Sequence, residues 1–170
     1  NSAAHLYDLV EDFSKYISFS HDEEAWSKEE VNLDALVESF DNMLNETLLN
    51  TNGRILRNDL PCIQSSPSML YAILKNLIEN GLKYNTSPNP TVEISYNETN
   101  THHEITVSDN GIGIEKDYHG QVFELFKRLH NRAEYNGSGI GLAVVKLAMD
   151  KMNGVIHLES SKNNGSQFVL

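Results

Sequence analysis

Two asparagines and a lysine recur at helical spacing in a segment otherwise rich in leucine and isoleucine. At 100° per residue, Asn76, Asn80 and Lys83 fall within an arc of about 60° beside the apolar face. Carboxamide oxygens bind hard cations and an ammonium group pairs with phosphate, so the trio suits a magnesium nucleotide, although a solvated polar flank would give the same pattern. Gly81 favours binding, because a glycine within a helix costs about 1 kcal/mol and marks a close approach. Glu79 lies outside the arc and is expected to face solvent.

A second motif, Asp-Asn-Gly-Ile-Gly-Ile, runs from Asp109 to Ile114 and follows a segment that alternates as a strand. A carboxylate at the end of a strand can accept a hydrogen bond from an exocyclic amine, and glycines let the backbone lie flat against a planar ring. The same residues also form an ordinary turn. A calcium-binding loop is excluded, because the acidic positions do not recur at the required offsets.

Three alternating glycines, Gly137, Gly139 and Gly141, precede a predicted helix. Glycines at the start of a helix expose N–H groups and the positive end of the helix dipole, which favour phosphate. A dinucleotide-binding fold is excluded because a polar loop precedes the glycines, and a P-loop is excluded because no Gly-Lys-Ser/Thr follows them. A flexible glycine hinge is the alternative.

Between the two glycine motifs lies a segment with an amphipathic pattern. Phe123 and Phe126, three residues apart, predict a short helix anchored to the body of the protein, with Lys127 and Arg128 on its polar side.

The periodicity of the whole chain predicts the elements that position these groups. Apolar residues at helical spacing predict helices over about 6–17, 36–48, 67–85 and 144–152. Short apolar or alternating runs predict strands near 31–33, 55–56, 62–63, 92–96, 104–108, 155–160 and 167–170. Helices segregated from mostly antiparallel strands indicate an α+β fold, a two-layer α/β sandwich with the helices on one face of a mixed sheet, plus an N-terminal helix.

The composition limits the ligands that this fold can hold. The 170 residues include 13 Lys and Arg against 24 Asp and Glu, for a net charge of −11. This charge disfavours broad binding to nucleic acid or an anionic membrane, so an anionic ligand must be held locally. The single cysteine, Cys62, excludes an internal disulfide and a cysteine-based zinc site. No apolar run has the length of a transmembrane helix.

Four motifs in this order resemble the ATP-binding domain of sensor histidine kinases: Asn-x-x-x-Asn-x-x-Lys-Tyr, Asp-x-Gly-x-Gly, Phe-x-x-Phe-x-Arg and Gly-x-Gly-x-Gly. The resemblance covers about residues 31–170. It implies the Bergerat sandwich shared with gyrase-type ATPases, ATP and Mg²⁺ as ligands, and a mobile lid between the glycine motifs. It also implies that residues 1–30 are the tail of a dimerisation helix with a linker and that 31–170 are the catalytic domain.

The resemblance assigns roles to the matching positions. Asn80 is the expected Mg²⁺ ligand, and Asn76 supports the metal and the phosphates. Lys83 and Arg128 are expected to contact phosphate and, with Asn76, to form the catalytic set. Asp109 is expected to bind the adenine amino group. The remaining expected nucleotide contacts are Tyr84, Gly111, Gly113, Ile114, Lys127, Gly137, Ser138, Gly139, Ile140, Gly141, Leu142 and Ser166.

The resemblance further implies phosphate transfer rather than hydrolysis, because Asn76 stands where hydrolysing relatives carry a glutamate base. No histidine has the setting of the family's phosphoacceptor, so the acceptor is expected on a dimerisation domain upstream in the same protein. We expect a homodimeric full-length protein, a cytoplasmic catalytic domain, a response regulator as partner and no nucleic acid partner. A gyrase-like ATPase and a nucleotide-responsive module without transfer remain alternatives.

Overall fold

A computed structural model describes residues 2–21, 27–129 and 138–170. The helices are α1 Ser2–His21, α2 Leu33–Met43, α3 Asn45–Thr51, α4 Pro67–Lys83 and α5 Gly141–Lys151, with a 3₁₀ turn at Lys116–Tyr118. The strands are β1 Glu29–Asn32, β2 Arg54–Arg57, β3 Cys62–Ser65, β4 Thr91–Glu98, β5 His103–Asp109, β6 His157–Ser160 and β7 Ser166–Val169.

Five of these strands form one mixed sheet in the order β2, β4, β5, β7, β6. The pair of β2 and β4 is parallel, whereas the other three pairs are antiparallel. Strands β1 and β3 form a separate antiparallel ribbon. The predicted α+β sandwich with a mixed, mostly antiparallel sheet and an N-terminal helix is confirmed.

The apolar stripe of α4 lies at the centre of the core. The 3.6-residue period of α4 places its leucines and isoleucines on the face that packs against the sheet and α5. Complete burial of each such side chain stabilises the fold by about 1.5–3 kcal/mol. The buried residues of α4 are Met69, Leu70, Ala72, Ile73, Leu74, Leu77, Ile78, Gly81 and Leu82. The stripe therefore fixes the rotation of α4 and directs its polar arc towards one rim of the core.

Two predicted helices differ from the structure. The helix predicted over 36–48 is divided into α2 and α3 at Leu44, whose φ of −100° and ψ of 9° depart from helical values. The short helix predicted around Phe123 and Phe126 is wrong. Phe123 packs against the core, but Phe126 is exposed, has a φ of 61° and stacks on an aromatic ring of α1.

At Gly81 the helix α4 approaches the sheet closely. A Cβ at this position would lie 2.7 Å from Val92 Cγ2 and 2.9 Å from Asp109 Cβ. Val92 and Asp109 are register partners on β4 and β5, so neither can move without disturbing the centre of the sheet. The close packing of α4 against β4 and β5 therefore explains why position 81 is a glycine.

We expect Gly81→Ala to lower the free energy of unfolding by roughly 1–2 kcal/mol, because overpacking outweighs the better helix propensity of alanine. Gly120→Ala is the matched control, since a Cβ there has no atom within 4 Å, and its effect should be about 1 kcal/mol or less. Denaturant titration of both variants measures the difference. A Gly81→Ala variant more stable than the parent would contradict the close packing.

Candidate functional site

A cavity of about 370 Å³ opens where the polar arc of α4 faces the end of β5 and the start of α5. Its size falls in the range of small-molecule sites. Most of the residues that the sequence predicted to bind a nucleotide line its wall. They are Asn76, Asn80, Lys83, Tyr84, Asp109, Gly113, Ile114, Lys127, Arg128, Ser138, Gly139, Gly141, Leu142 and Ser166.

The α4 side of the cavity presents oxygen atoms. The Asn76 amide Nδ2 donates to the Ala72 carbonyl at 2.8 Å, and this bond fixes which end of the amide points away from the helix. Its Oδ1 therefore faces the start of α5, where a Cβ on Gly141 would collide with it. Gly141 is thus needed as glycine by the close approach of Asn76. Asn80 lies one turn further along the same wall.

The last turn of α4 brings a cation to the wall. Lys83 Nζ lies 4.8 Å from the centre of the Tyr84 ring, within the range of a cation–π interaction. The two residues therefore form one amphipathic part of the wall that carries a positive charge.

Asp109 provides a buried carboxylate at the end of β5. Its Oδ1 accepts from the backbone N–H of Gly111 at 2.8 Å and from that of Ser166 at 3.3 Å. Burial raises the pKa of Asp109 from 3.8 to about 6, although the two N–H groups act in the opposite direction. No lysine or arginine of the described ranges forms an ion pair with it. The Asp109 carboxylate can therefore accept a hydrogen bond from a donor group of a ligand.

The opposite end of the cavity is the N-terminus of α5, which begins at Gly141. The first N–H groups of a helix have no acceptor within it, and the helix dipole adds partial positive charge there. Ser138 and Gly139 continue this wall, and the Ile140 N–H is bound by Ser138 Oγ at 3.2 Å. The cavity therefore has a carboxylate at one end and an anion-favouring helix start at the other.

Three residues are placed differently from the sequence-based expectation, and a fourth lies outside the described residues. The Ile140 side chain is fully buried in the core and does not line the cavity. Gly111 lies behind the wall, against the Tyr84 carbonyl. Glu79, which was expected to face solvent, is partly exposed and lies on the wall, 3.1 Å from Lys75 Nζ. Gly137 is outside the described residues.

Helix α1 also contributes residues to the cavity, which the sequence analysis did not predict. Glu11 and Asp12 both line the cavity, and Asp12 Oδ2 accepts from Ser138 Oγ at 2.5 Å. On the next residue of α1, the Phe13 ring stacks on Phe126 with centres 6.5 Å apart. The two contacts join residues more than a hundred positions apart in the chain, so no local pattern could predict them.

The described residues contain no group of three or more His, Cys, Asp or Glu that could hold a metal ion. Within the same residues, no helix combines the length and hydropathy needed to cross a bilayer.

Comparison with known proteins places this geometry in a family. Residues 65–170 match the model of the histidine kinase-, DNA gyrase B- and HSP90-like ATPases. The chain is 32% identical over 125 residues to cyanobacterial phytochrome A of Nostoc sp., covering 74% of this chain and 16% of that protein. It is 29% identical over 178 residues to the sensor histidine kinase AtsR of Burkholderia thailandensis, covering all of this chain and 29% of that protein.

The fold has close structural counterparts. The full-length ShkA structure, in complex with AMPPNP, superposes with a TM-score of 0.83 at 22% identity, over 99% of this chain and 35% of that one. The chain thus spans less than a third of the length of the two curated relatives named above. A family model that covers most of the chain, together with the four motifs around one cavity, shows that the chain belongs to the family of histidine kinase-, DNA gyrase B- and HSP90-like ATPases.

Proposed function

We propose that this domain binds Mg²⁺-ATP and positions the γ-phosphate for transfer to a histidine on a dimerisation domain of the same protein, as the catalytic domain of a sensor histidine kinase. The observation that carries the proposal is the distribution of polar groups between the two ends of the cavity. A buried carboxylate, Asp109, lies at one end, and the glycine-opened start of α5 at the other, with the amides of α4 between them.

Asp109 is the residue that reads the base. Its ionised carboxylate would accept a hydrogen bond from the 6-amino group of adenine, while Gly113 and Ile114 flank the ring. Two backbone N–H groups already hold the carboxylate in place, so no rearrangement of its side chain is required. The base would therefore enter a preorganised site.

The triphosphate would extend towards α5. Gly139 and Gly141 permit close approach to the helix N-terminus, and Lys83 and Arg128 supply positive charge from the wall. Mg²⁺ would be held by Asn80 with help from Asn76, a donor set of neutral oxygens that suits an ion sharing its shell with phosphates and water. When bound, the metal neutralises phosphate charge.

The wall favours transfer over hydrolysis. Asn76 has no basic atom to activate a water, and its amide nitrogen is already bound to Ala72. Glu79 is paired with Lys75 rather than directed at a phosphate, so it is no substitute for the missing base. What the domain contributes is positioning, and the attacking imidazole must come from elsewhere. The phosphate would then pass to a response regulator, and the full-length protein would act as a homodimer.

The test of the function uses the chain with γ-labelled ATP, alone and with the upstream dimerisation domain, a helical hairpin expected to carry the acceptor histidine, supplied separately. We expect ATP binding without self-labelling or appreciable turnover by the chain alone, and labelling of the hairpin histidine when both are present. Rapid ATP hydrolysis by the chain alone would indicate a gyrase-like ATPase. Binding with no labelling of the hairpin would indicate a nucleotide-responsive module.

Asp109→Asn should lower the affinity for ATP but raise the stability of the ligand-free fold. The amide keeps an acceptor for Gly111 and Ser166 but presents a donor to the adenine amino group, so ATP affinity should fall by roughly tenfold or more. The same change should stabilise the ligand-free fold at pH 7 by about 1–2 kcal/mol, because it removes a buried charge.

The stability gain should depend on pH. The folded pKa of Asp109, about 6, lies above the unfolded value of 3.8, so the parent loses stability as the pH rises through this window. The advantage of Asp109→Asn should therefore shrink as the pH is lowered from 7 to 4, in denaturant titrations at each pH. A stability gain that does not change with pH would mean that burial does not raise the pKa of Asp109 in the folded protein.

Asn80→Ala should weaken ATP binding in the presence of Mg²⁺ by roughly tenfold more than in its absence, because it removes an oxygen ligand of the metal. Calorimetric titration with AMPPNP, with Mg²⁺ or with a chelator, measures both. Asn97→Ala, on the exposed part of β4, is the control and should change neither value. An equal loss under the two conditions would remove Asn80 from the metal site.

Asp12→Asn should strengthen ATP binding by roughly threefold to tenfold at low salt, because the Asp12 carboxylate lies on the wall that the phosphates would approach. Glu38→Gln, an exposed position on α2, removes the same charge away from the cavity and should have little effect. Titrations at two ionic strengths should show the gain shrinking as salt rises. Weaker binding by Asp12→Asn would mean that the carboxylate supports the ligand rather than repels it.

A further inference from the structure

Ile114 lies on the cavity wall beside the proposed base site, and side chains hold its backbone in place. Two residues earlier, the backbone itself provides such a bond, since the Ile112 N–H donates to the Tyr84 carbonyl at 3.0 Å. The Ile114 N–H instead donates to Ser160 Oγ at 2.7 Å, and the Ile114 carbonyl oxygen lies 3.1 Å from Nε2 of His119. The position of this part of the wall therefore depends on two side chains that come from outside it.

The bond between His119 and Ile114 has only one possible direction. A carbonyl oxygen accepts and never donates, so the proton of this bond is carried by Nε2 of His119. The imidazolium and the neutral ring protonated at Nε2 can both donate it, whereas the neutral ring protonated at Nδ1 cannot. The contact therefore selects one tautomer of the neutral ring.

His119 is turned inward from an exposed turn of the chain. It follows the 3₁₀ turn Lys116–Tyr118, and its N–H donates to the Lys116 carbonyl at 3.2 Å. Residues 115–118 and Gly120 are exposed, whereas His119 is half-buried. The imidazole ring thus reaches back across the turn to the carbonyl of Ile114 and closes the turn from within.

The same turn connects two residues of the cavity wall, Ile114 and Val122. Val122 is buried, and its N–H donates to the Tyr118 carbonyl at 3.0 Å, so its position depends on the turn. His119 does not itself line the cavity. Because its ring joins the end of the turn to Ile114, it acts on the spacing of the two wall residues rather than on a ligand directly.

A second contact restrains the turn less firmly. Glu115 Oε1 lies 2.7 Å from Lys162 Nζ, but both side chains are largely exposed, and ion pairs of this kind contribute little in water. The bond of His119 is partly buried, so its loss would leave the Ile114 carbonyl short of a donor in a place that water reaches less easily. The His119 bond is therefore the stronger of the two restraints.

We propose that His119 is a positioning residue for the nucleoside, whose Nε2–H bond to the Ile114 carbonyl holds Ile114 and Val122 at the spacing that admits the purine ring. This inference rests on the proposed function, because it takes the base to bind beside Ile114. It extends the base site to a residue behind the wall. Since the bond lies at the base end, its effect concerns the base and not the phosphates.

The test measures the dissociation constants of AMPPNP and ADP, both with Mg²⁺, by calorimetric titration of the parent and three variants. His119→Phe keeps an aromatic ring without the donor and should weaken both nucleotides by the same factor, roughly threefold to tenfold. His119→Gln can place an amide N–H close to the position of Nε2 and should restore most of the affinity. His157→Phe, at the exposed start of β6 and away from the cavity wall, is the matched control and should bind as the parent does.

Three results would overturn the proposal. Parental affinity in His119→Phe would show that the bond does not matter for binding, and an equal loss in His119→Gln would show that the donor is not the cause. A larger loss for AMPPNP than for ADP would place the effect at the phosphates. Failure of the parent to bind either nucleotide would instead contradict the proposed function, which keeps the two levels of inference apart.

The tautomer provides a measurement that does not require His119→Phe to fold. Long-range ¹H–¹⁵N spectra of the imidazole rings of the parent, under mildly alkaline conditions where imidazole is neutral, should show His119 protonated at Nε2. Its signal is identified by its absence from the spectrum of His119→Gln. A His119 ring protonated at Nδ1 instead could not donate to Ile114 and would overturn the proposal.

Discussion

The rest of the structure depends on one buried carboxylate, which lies where a helix, a loop and the sheet meet. Asp109 ends the central strand β5, and its Cβ is so close to α4 that residue 81 must be glycine. Its Oδ1 binds the N–H of Gly111 in the following loop and the N–H of Ser166 on β7. The turn at Gly165 packs against the Asp109 carbonyl. The position of this one residue thus ties the helix, the loop and the sheet together and fixes the base end of the cavity.

Asp109 has no lysine or arginine partner among the described residues, so burial of its charge is costly, and the raised pKa, about 6, reflects this cost. Proteins retain such groups where binding needs them, because an acceptor held in place before the ligand arrives loses little entropy on binding. At the far end of the cavity lies the start of α5, whose first N–H groups and helix dipole favour an anion. Because the acceptor and the anion-favouring helix start lie at opposite ends of the cavity, a ligand with a base and a phosphate chain can bind in only one orientation.

Much of this could be predicted from the sequence because the signals are local. The 3.6-residue period placed Asn76, Asn80 and Lys83 on one rim of α4, and the motif order predicted the fold that the structure confirms. Features that depend on tertiary packing could not be predicted in this way. Phe126, with its φ of 61°, stacks on Phe13 of α1, and Ile140 is buried in the core, so both features involve residues far away in the chain. The approach of Asp12 to Ser138 across 126 positions is the extreme case.

The central claim is that one cavity binds the base at Asp109 and the phosphates at the start of α5. Its most direct test is a titration of the ¹⁵N-labelled chain with Mg²⁺-AMPPNP, followed by amide NMR shifts. The account predicts saturable shifts in two groups, at Gly111, Gly113 and Ser166 around the base and at Gly139, Gly141 and Leu142 around the phosphates. Shifts confined to one of these groups, or concentrated in the shallow depression beside Arg57 and Asp59, would contradict it.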